Sequence, residues 1–409
     1  MQTPHQFANL RIGHLNVRGL ERHIDGVKLT LDKQQYHIFG VTETKMRKSA
    51  PIGPVKVSGY NYISHTLPSG RGRGTKACGG VGLYVKKGIK TTPIIKSTFS
   101  NDHPISKRVE YLVTQLVING MNIGVAVIYN PSCANDLFVQ AYEKLLVDLM
   151  EYNLDKLFLI GDFNVKVRMT QPSYNLSSIH RLHNTFNLTI LQTPPTRITE
   201  NTSSTIDLMI TDCPQSIRKS ATTTANSISD HEIVYLICDV RVPKPVPQRV
   251  TYRNLRNFDS LRLQADFQTL DFREVFNSSN IDTKTEIVSQ HLQNLLQTHA
   301  PERVTVVRDK RTPWITRSIE QAVAARDLAF KLYSRNPNRS RGDPQWNDYC
   351  RLRDRANSPI FTAKKRYTER NFSTDRPAKT LWSNLRRDGI HNNSKRNHGD
   401  EVADVDQLN

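Results

Sequence analysis

From residue 9 to about residue 240 the sequence keeps returning to short apolar, β-branched runs separated by turn chemistry, which restricts this part of the chain to a layered domain of strands and helices. Such runs occupy 10–15, 37–41, 80–85, 111–118, 122–129, 156–160 and 232–237. Asn119, Gly120 and Met121 join two of them through a loop short enough for a hairpin, so antiparallel pairing is expected and a purely parallel sheet is not. Around 135–151, Leu137, Phe138, Ala141, Leu145 and Leu149 recur at helical spacing and leave Asp136, Glu143, Lys144 and Asp148 for solvent. Helices therefore cover at least one sheet face.

A chain of 409 residues is larger than one core usually fills, so a second unit is expected. The first unit is read as residues 1–240. The break falls at 241–250, where Pro243, Pro245 and Pro247 oppose both strand and helix. Residues 251–390 read as a basic, mostly helical region, and 391–409 as a disordered tail. Within the helical pattern Ile319, Val323, Leu328, Ala329 and Leu332 trace one face, with Trp314, Trp346, Tyr349 and Trp382 set among arginines and lysines. The aromatic positions are read as packing residues, and the charge around them as a face for nucleic acid.

Charge supports a polyanionic partner. The 57 Lys and Arg outnumber 38 Asp and Glu, for a net charge of +19, and residues 301–399 hold 23 of the former against 10 of the latter. Neutralising a phosphate backbone with such residues releases condensed counterions. No uninterrupted apolar run is long enough to cross a bilayer, so no membrane partner is expected. The start Met1-Gln-Thr-Pro-His-Gln has no secretory pattern, which predicts an intracellular protein. Five widely spaced cysteines lack the close pairs of zinc sites or disulfide frameworks and read as reduced packing residues.

Several strand ends carry groups able to do chemistry on a phosphodiester, whose negative charge repels nucleophiles and whose leaving oxygen is poor. The apolar run 156–160 leads through Gly161 to Asp162 and Asn164, a candidate base beside a candidate orienting amide on the same side of an extended chain. The run 37–41 leads likewise to Glu43, an oxygen donor suited to magnesium, and 10–15 leads to Asn16. Asp207 lies inside an apolar run, where a carboxylate is costly without a partner such as histidine. Ser229, Asp230 and His231 open another strand, with the last two pointing to opposite sides. Arg71 and Arg73 lie in a glycine-rich basic loop able to grip phosphates or to serve as a surface turn.

The ordered set Asn16, Glu43, Tyr129, Asp162 with Asn164, Asp207, and Asp230 with His231 resembles the exonuclease-endonuclease-phosphatase superfamily. Within it, the segments 15–20, 40–44, 127–131, 159–164, 193–197, 204–207 and 229–231 look like the apurinic/apyrimidinic-type endonuclease domain of non-LTR retrotransposons. More weakly, 251–255, 299–301 and 312–316 are similar to the segment that joins this endonuclease to a reverse transcriptase.

The resemblance implies a four-layered α/β sandwich, two mixed β-sheets packed face to face with helices outside. It implies that Glu43 holds Mg2+ (or Mn2+) with Asn16 and Asp230, and that Asp162 activates water with Asn164 nearby. His231, held by Asp207, and Tyr129 would contact the scissile phosphate. Arg18, Arg71, Arg73 and Arg197 are candidate backbone contacts to double-stranded DNA. The implied reaction is a nick in nuclear DNA whose 3′-hydroxyl primes reverse transcription, with element RNA bound through the basic C-terminal region. These 409 residues hold no Tyr-x-Asp-Asp polymerase motif, so a separate reverse transcriptase is expected. Repair enzymes of the superfamily carry an acid where this chain has Arg18, which disfavours a second metal and abasic-site activity. A phosphatase or lipid phosphodiesterase of the same superfamily, or a non-catalytic nucleic-acid-binding fragment, is the alternative; the basic region and the complete residue set speak for the nuclease.

Overall fold

The computed structural model describes residues 7–46, 52–65, 79–98, 108–131, 136–165, 174–199, 202–225, 228–243, 249–255, 258–306, 314–336, 342–373 and 375–387. In chain order the first elements are β1 (Phe7–Asn16), α1 (Leu20–Gln34), β2 (Ile38–Thr42), β3 (Tyr60–His65), β4 (Val81–Lys86), β5 (Lys90–Lys96), β6 (Glu110–Ile118) and β7 (Met121–Tyr129). They continue with α2 (Asp136–Leu149), β8 (Lys156–Asp162), α3 (Tyr174–Thr185), β9 (Thr189–Ile190), β10 (Arg197–Ile198), β11 (Ser203–Ser204), β12 (Asp207–Thr211), β13 (Ile217–Thr223) and β14 (Ile233–Pro243). The remainder are β15 (Arg249–Arg253), α4 (Ser260–Gln268), α5 (Arg273–Asn277), α6 (Ile281–His299), β16 (Glu302–Val306), α7 (Arg317–Arg335), α8 (Pro344–Phe372) and α9 (Ala378–Arg387). The chain forms two compact units, residues 1–244 with 311–409, and residues 245–310.

Two six-stranded sheets make the core of the first unit, in the orders β13-β14-β1-β2-β4-β3 and β5-β6-β7-β8-β12-β9. Each is mixed. β1 and β2 are parallel and joined through α1, β7 and β8 are parallel and joined through α2, and the flanking pairs are antiparallel. The expected β6–β7 hairpin is present, with Asn119 and Gly120 at positive φ in its turn.

Alternation along the strands builds three apolar layers. Leu10, Ile12, Ile38, Leu83, Val125, Val127, Phe158, Ile160, Met209 and Leu236 pack between the sheets. Leu15, Phe39, Val41 and Ile233 turn outward to meet Leu20, Ile24, Val27 and Leu31 of α1. On the far side Ala126, Ile128, Leu159 and Leu208 meet Phe138, Tyr142 and Leu145 of α2 and Ile179 of α3. This gives the expected order of helix, sheet, sheet, helix. Each fully buried aliphatic or aromatic side chain of this kind contributes about 1.5–3 kcal/mol. Gly40 marks a close approach of the sheets, since a Cβ there would lie 2.8 Å from Ile160 Cδ1.

Helices α7 and α8 pack on this sandwich. Ile319, Val323 and Ala356 bury against Leu29 of α1, and Phe330 and Tyr333 bury with Ile198 of β10, flanked by Trp346 and Tyr349. The apolar face expected from Leu328 and Leu332 is corrected here, because both are more than half exposed. At 100° per residue they lie on the side of α7 opposite Ile319, and the face turned inward is completed by Arg326, Phe330 and Tyr333. The Trp314 ring has the ammonium groups of Lys28 and Lys364 at 5.8 and 5.9 Å and Tyr367 beside it, whereas Trp382 is about half exposed.

The strand β14 runs to Pro243, opposite Phe7, so the first residues of the proline-rich segment are strand; a proline closing a strand forfeits little ladder bonding. In the second unit β15 and β16 pair antiparallel, and Arg253 donates to the Ala300 carbonyl oxygen (2.7 Å) while pairing with Glu302 (3.0 Å). Asp259 and Asn280 cap α4 and α6. Cys213, Cys238 and Cys350 are free thiols, the first two buried; Cys78 and Cys133 lie outside the described residues, as does 391–409. No described helix is long and apolar enough to cross a membrane.

Candidate active site

Strand periodicity delivers the site. On β1 the side chains facing the second sheet are Leu10, Ile12, His14 and Asn16; the first two join the central core and the last two, fully buried, are polar. The same change from apolar to polar ends β8 at Asp162 and begins β12 at Asp207, and these two residues pair in register. Tyr129 at the end of β7 pairs with Asp162 from the other side. One end of the inter-sheet layer is therefore lined by acids, amides and histidines.

Local backbone geometry suits the delivery. A Cβ on Gly161 would lie 1.8 Å from the Ile128 carbonyl oxygen, so only glycine lets β8 approach β7 just before Asp162. Glu43 (φ 50°) and Asn164 (φ 49°) both take the left-handed conformation just past a strand end. Such non-glycine residues cost of order 1–3 kcal/mol and concentrate at functional sites.

Hydrogen bonds tie the groups into two connected sets. Asn16 Nδ2 donates to Glu43 Oε1 (2.9 Å) and to Asp162 Oδ2 (2.8 Å), while its Oδ1 accepts from the Arg18 amide (3.2 Å). The Asn164 amide donates to Asp162 Oδ1 (3.1 Å). The Asn164 side chain does not lie alongside Asp162 as an extended chain would place it; the left-handed turn sends its Nδ2 to the Asn130 carbonyl oxygen (2.7 Å). Asn130 in return donates to the Phe163 carbonyl oxygen (2.6 Å), which clasps the 162–164 turn. In the second set His231 Nδ1 lies 2.8 Å from Asp207 Oδ2, and the Thr196 hydroxyl accepts from the Asp207 amide (3.0 Å).

Asp230 is engaged by two arginines, Arg18 (2.9 Å to Oδ1) and Arg197 (3.2 Å to Oδ2), whose side chains remain 49% and 40% exposed. Glu43 Oε2 also pairs with Lys45 (3.0 Å).

These surroundings set the protonation of the site. Burial, reinforced by the charge of Asp207 and opposed by His231, lifts Asp162 to about 7. Burial alone would depress His231, but the charge and hydrogen bond of Asp207 outweigh it and raise the imidazole to about 9. His14, fully buried, is held down at about 4 and is neutral. Against the opposing effect of burial, Asn16 and Lys45 bring Glu43 below its usual value, and His231, Arg18 and Arg197 do the same for Asp230.

The donor set fits a hard divalent cation. Glu43, Asn16, Asp162, Asp207 and Asp230 offer oxygens, and ligand atoms of Asp162, Asp207 and His231 lie within 4.8 Å of one another. Asp207 Oδ1 is buried without a hydrogen bond among the described residues. Oxygen-rich sites without thiolates suit Mg2+ or Mn2+.

The structure thus brings Asn16, Glu43, Asp162, Asn164, Asp207, His231, Tyr129, Asp230, Arg18 and Arg197 to one end of the sandwich; Arg71 and Arg73 lie outside the described residues. Sequence reasoning missed His14, Thr196, Asn130 and Lys45. His14 left a signal, two residues before Asn16 on the same strand face, and Asn130 and Thr196 fall within the segments 127–131 and 193–197 that carry the resemblance. Asn130 and Thr196 act on segments distant in the sequence, whereas Lys45 pairs through its side chain with Glu43 two residues away.

Residues 123–235 match the sequence family described as endonuclease-reverse transcriptase. No curated protein gives a significant match. Solved structures with a similar fold include an endonuclease/exonuclease/phosphatase family protein from Leptotrichia buccalis, at 15% identity and a TM-score of 0.45, covering 56% of this chain and 99% of that one. An AP endonuclease from Archaeoglobus fulgidus (16%, 0.43) covers 56% of this chain and 100% of its own. The endonuclease domain of TRAS1, a telomere-specific non-LTR retrotransposon (13%, 0.42), covers 56% and 98%. The family match and the two packed mixed sheets support the endonuclease/exonuclease/phosphatase superfamily.

Proposed function

We propose that the chain is a metal-dependent endonuclease that nicks double-stranded DNA and leaves a 3′-hydroxyl end. The observation that carries this reading is the placement of Asp162, lifted to about 7, on the same buried rim as the Asp207–His231 pair. A carboxylate poised near neutrality accepts a proton from water, and a cationic imidazole steadies a phosphate.

In strand scission a water oxygen bonds to phosphorus, a water proton passes to Asp162, the bond from phosphorus to the 3′-oxygen breaks, and that oxygen takes a proton from solvent to become a hydroxyl. Asn16 and the Asn164 amide orient the Asp162 carboxylate toward the water. His231, charged at neutral pH and fixed by Asp207, faces the phosphoryl oxygens, with Tyr129 donating a hydrogen bond beside it. Glu43 and Asn16, with Asp230 nearby, would hold Mg2+ or Mn2+, which supplies positive charge to the phosphoryl and leaving oxygens. Arg18 and Arg197, half exposed and braced on Asp230, grip the flanking backbone. The match to an endonuclease-reverse transcriptase family supports a nick in chromosomal DNA, within the nucleus, that primes a separate reverse transcriptase.

Supercoiled plasmid incubated with the protein and Mg2+ tests this. Open circles that a DNA polymerase can extend, lost in Asp162→Ala and His231→Ala, are the expected result. Binding without Mg2+-dependent nicking overturns the proposal and leaves a nucleic-acid-binding protein; release of phosphate from small esters or lipids instead would make it a phosphatase or lipid phosphodiesterase.

A further inference from the structure

Asp207 has a histidine on each side of its carboxylate. His231 Nδ1 lies 2.8 Å from Oδ2, and His14 Nδ1 lies 3.5 Å from Oδ1. His14 and Asp207 have no exposed surface. The second ring nitrogen of His14 is 3.2 Å from the Thr42 hydroxyl, which can donate to it. That partner places the His14 ring proton on Nδ1, the nitrogen nearer Asp207 Oδ1; at 3.5 Å neither of these two buried atoms makes a hydrogen bond among the described residues.

Packing alone does not account for a histidine at this position. On the core side its same-face neighbours on β1 are Leu10 and Ile12, before Asn16 ends the strand, and an aliphatic residue would extend the layer by one position without burying two polar nitrogens. We propose that His14 is a positioning residue of the active site: by setting the donor Nδ1 3.5 Å from Oδ1 it favours one rotation of the Asp207 carboxylate, and through it the direction in which His231 faces the substrate phosphate. This rests on the reading of Asp207 and His231 as the phosphate-contacting pair. Outer partners of this kind set the orientation of a working histidine, and their loss typically costs 10–100-fold in activity.

Three variants of the full chain separate positioning from packing. His14→Asn keeps an amide near the position of Nδ1, His14→Gln carries it to the Thr42 side, and His14→Leu keeps bulk alone. Nicking by His14→Leu and His14→Gln is expected to fall at least about tenfold in kcat with little change in KM for DNA, while His14→Asn recovers most of the rate. Independently of turnover, nitrogen-edited proton spectra of the histidine rings should show the low-field His231 proton bonded to Asp207 in the parent and His14→Asn, and its shift or loss in His14→Gln and His14→Leu. If His14→Leu fails to fold, the Asn and Gln pair decides alone. An unchanged His231 resonance in His14→Gln, or equal losses in Asn and Gln variants with matched falls in Tm, overturns the proposal. A parent protein that cuts no DNA overturns the nuclease reading instead, and the spectra still decide the role of His14.

Discussion

Asp162 and Asp207 face each other in register across the β8–β12 ladder, and both carboxylates are buried. Two buried acids so placed cannot both ionise cheaply, so the pair needs the cation of His231 and leaves Asp162 near 7.

The pH dependence of nicking follows from that relationship. Asp162 must be deprotonated, so kcat rises with pH up to about 7; His231 must be protonated, so kcat falls above about 9. Asp207→Asn removes the charge that raises both groups and should move both limbs to lower pH. A pH–rate profile of parent and variant checks this, and limbs that stay in place refute it.

Glu43 holds a left-handed backbone and presents its carboxylate to Asn16 and Lys45. Glu43→Gln should raise the Mg2+ concentration for half-maximal nicking about 10-fold or more while leaving DNA affinity in chelator unchanged. A Mg2+ titration of nicking beside a binding isotherm reads both quantities.

Gly161→Ala drives a Cβ against the Ile128 carbonyl oxygen. The strands must separate, at a cost of about 1–3 kcal/mol in denaturant unfolding. Because Asp162 moves with them, nicking should fall about a hundredfold in protein that remains folded. Full activity at lowered stability would show that the close approach serves packing alone.

Glu110 is buried, accepts from the Gly80 amide (2.6 Å), and is lifted by burial to about 8. Its folded value exceeds the ordinary 4.5, so the fold binds the extra proton and loses stability as pH rises from about 4.5 to about 8. Glu110→Gln, which resembles the protonated form, should flatten that decline. Tm measured across this window tests the sign, and parallel curves for parent and variant would rule it out.

Phe330 of α7 is buried with Ile198, the neighbour of Arg197. Phe330→Ala should cost about 3–5 kcal/mol at most, with the lower end expected for a site at the edge of the sandwich. It should also raise KM for DNA by loosening β10. Unfolding curves and steady-state kinetics check the two effects separately.

The architecture and the strand-end positions of most proposed site residues were legible in the sequence because both depend on a local period. Alternation of two along β1, β8 and β12 says which side chains share a face, and the first polar residue after an apolar run marks where that face leaves the core. Helical period was less secure on α7. Leu328 and Leu332 obeyed apolar composition but lie opposite the side that docks, where a buried arginine, Arg326, takes a place no hydrophobicity count would give it.

Sequence order alone determined that Asn16, Glu43, Asp162 and His231 would stand at strand ends and Asp207 within an apolar run, since each follows from its own few neighbours. Only the tertiary structure decided what they would be as chemical groups. The charge state of Asp162 comes from its burial and from Asp207 across a ladder, and Asp230 is claimed by Arg18 and Arg197 from two other segments. The Asn164 side chain is drawn away to Asn130, and His14 closes on Asp207 from another sheet. Protonation and orientation depend on distances between residues far apart in the chain, and those distances exist only once both sheets have packed.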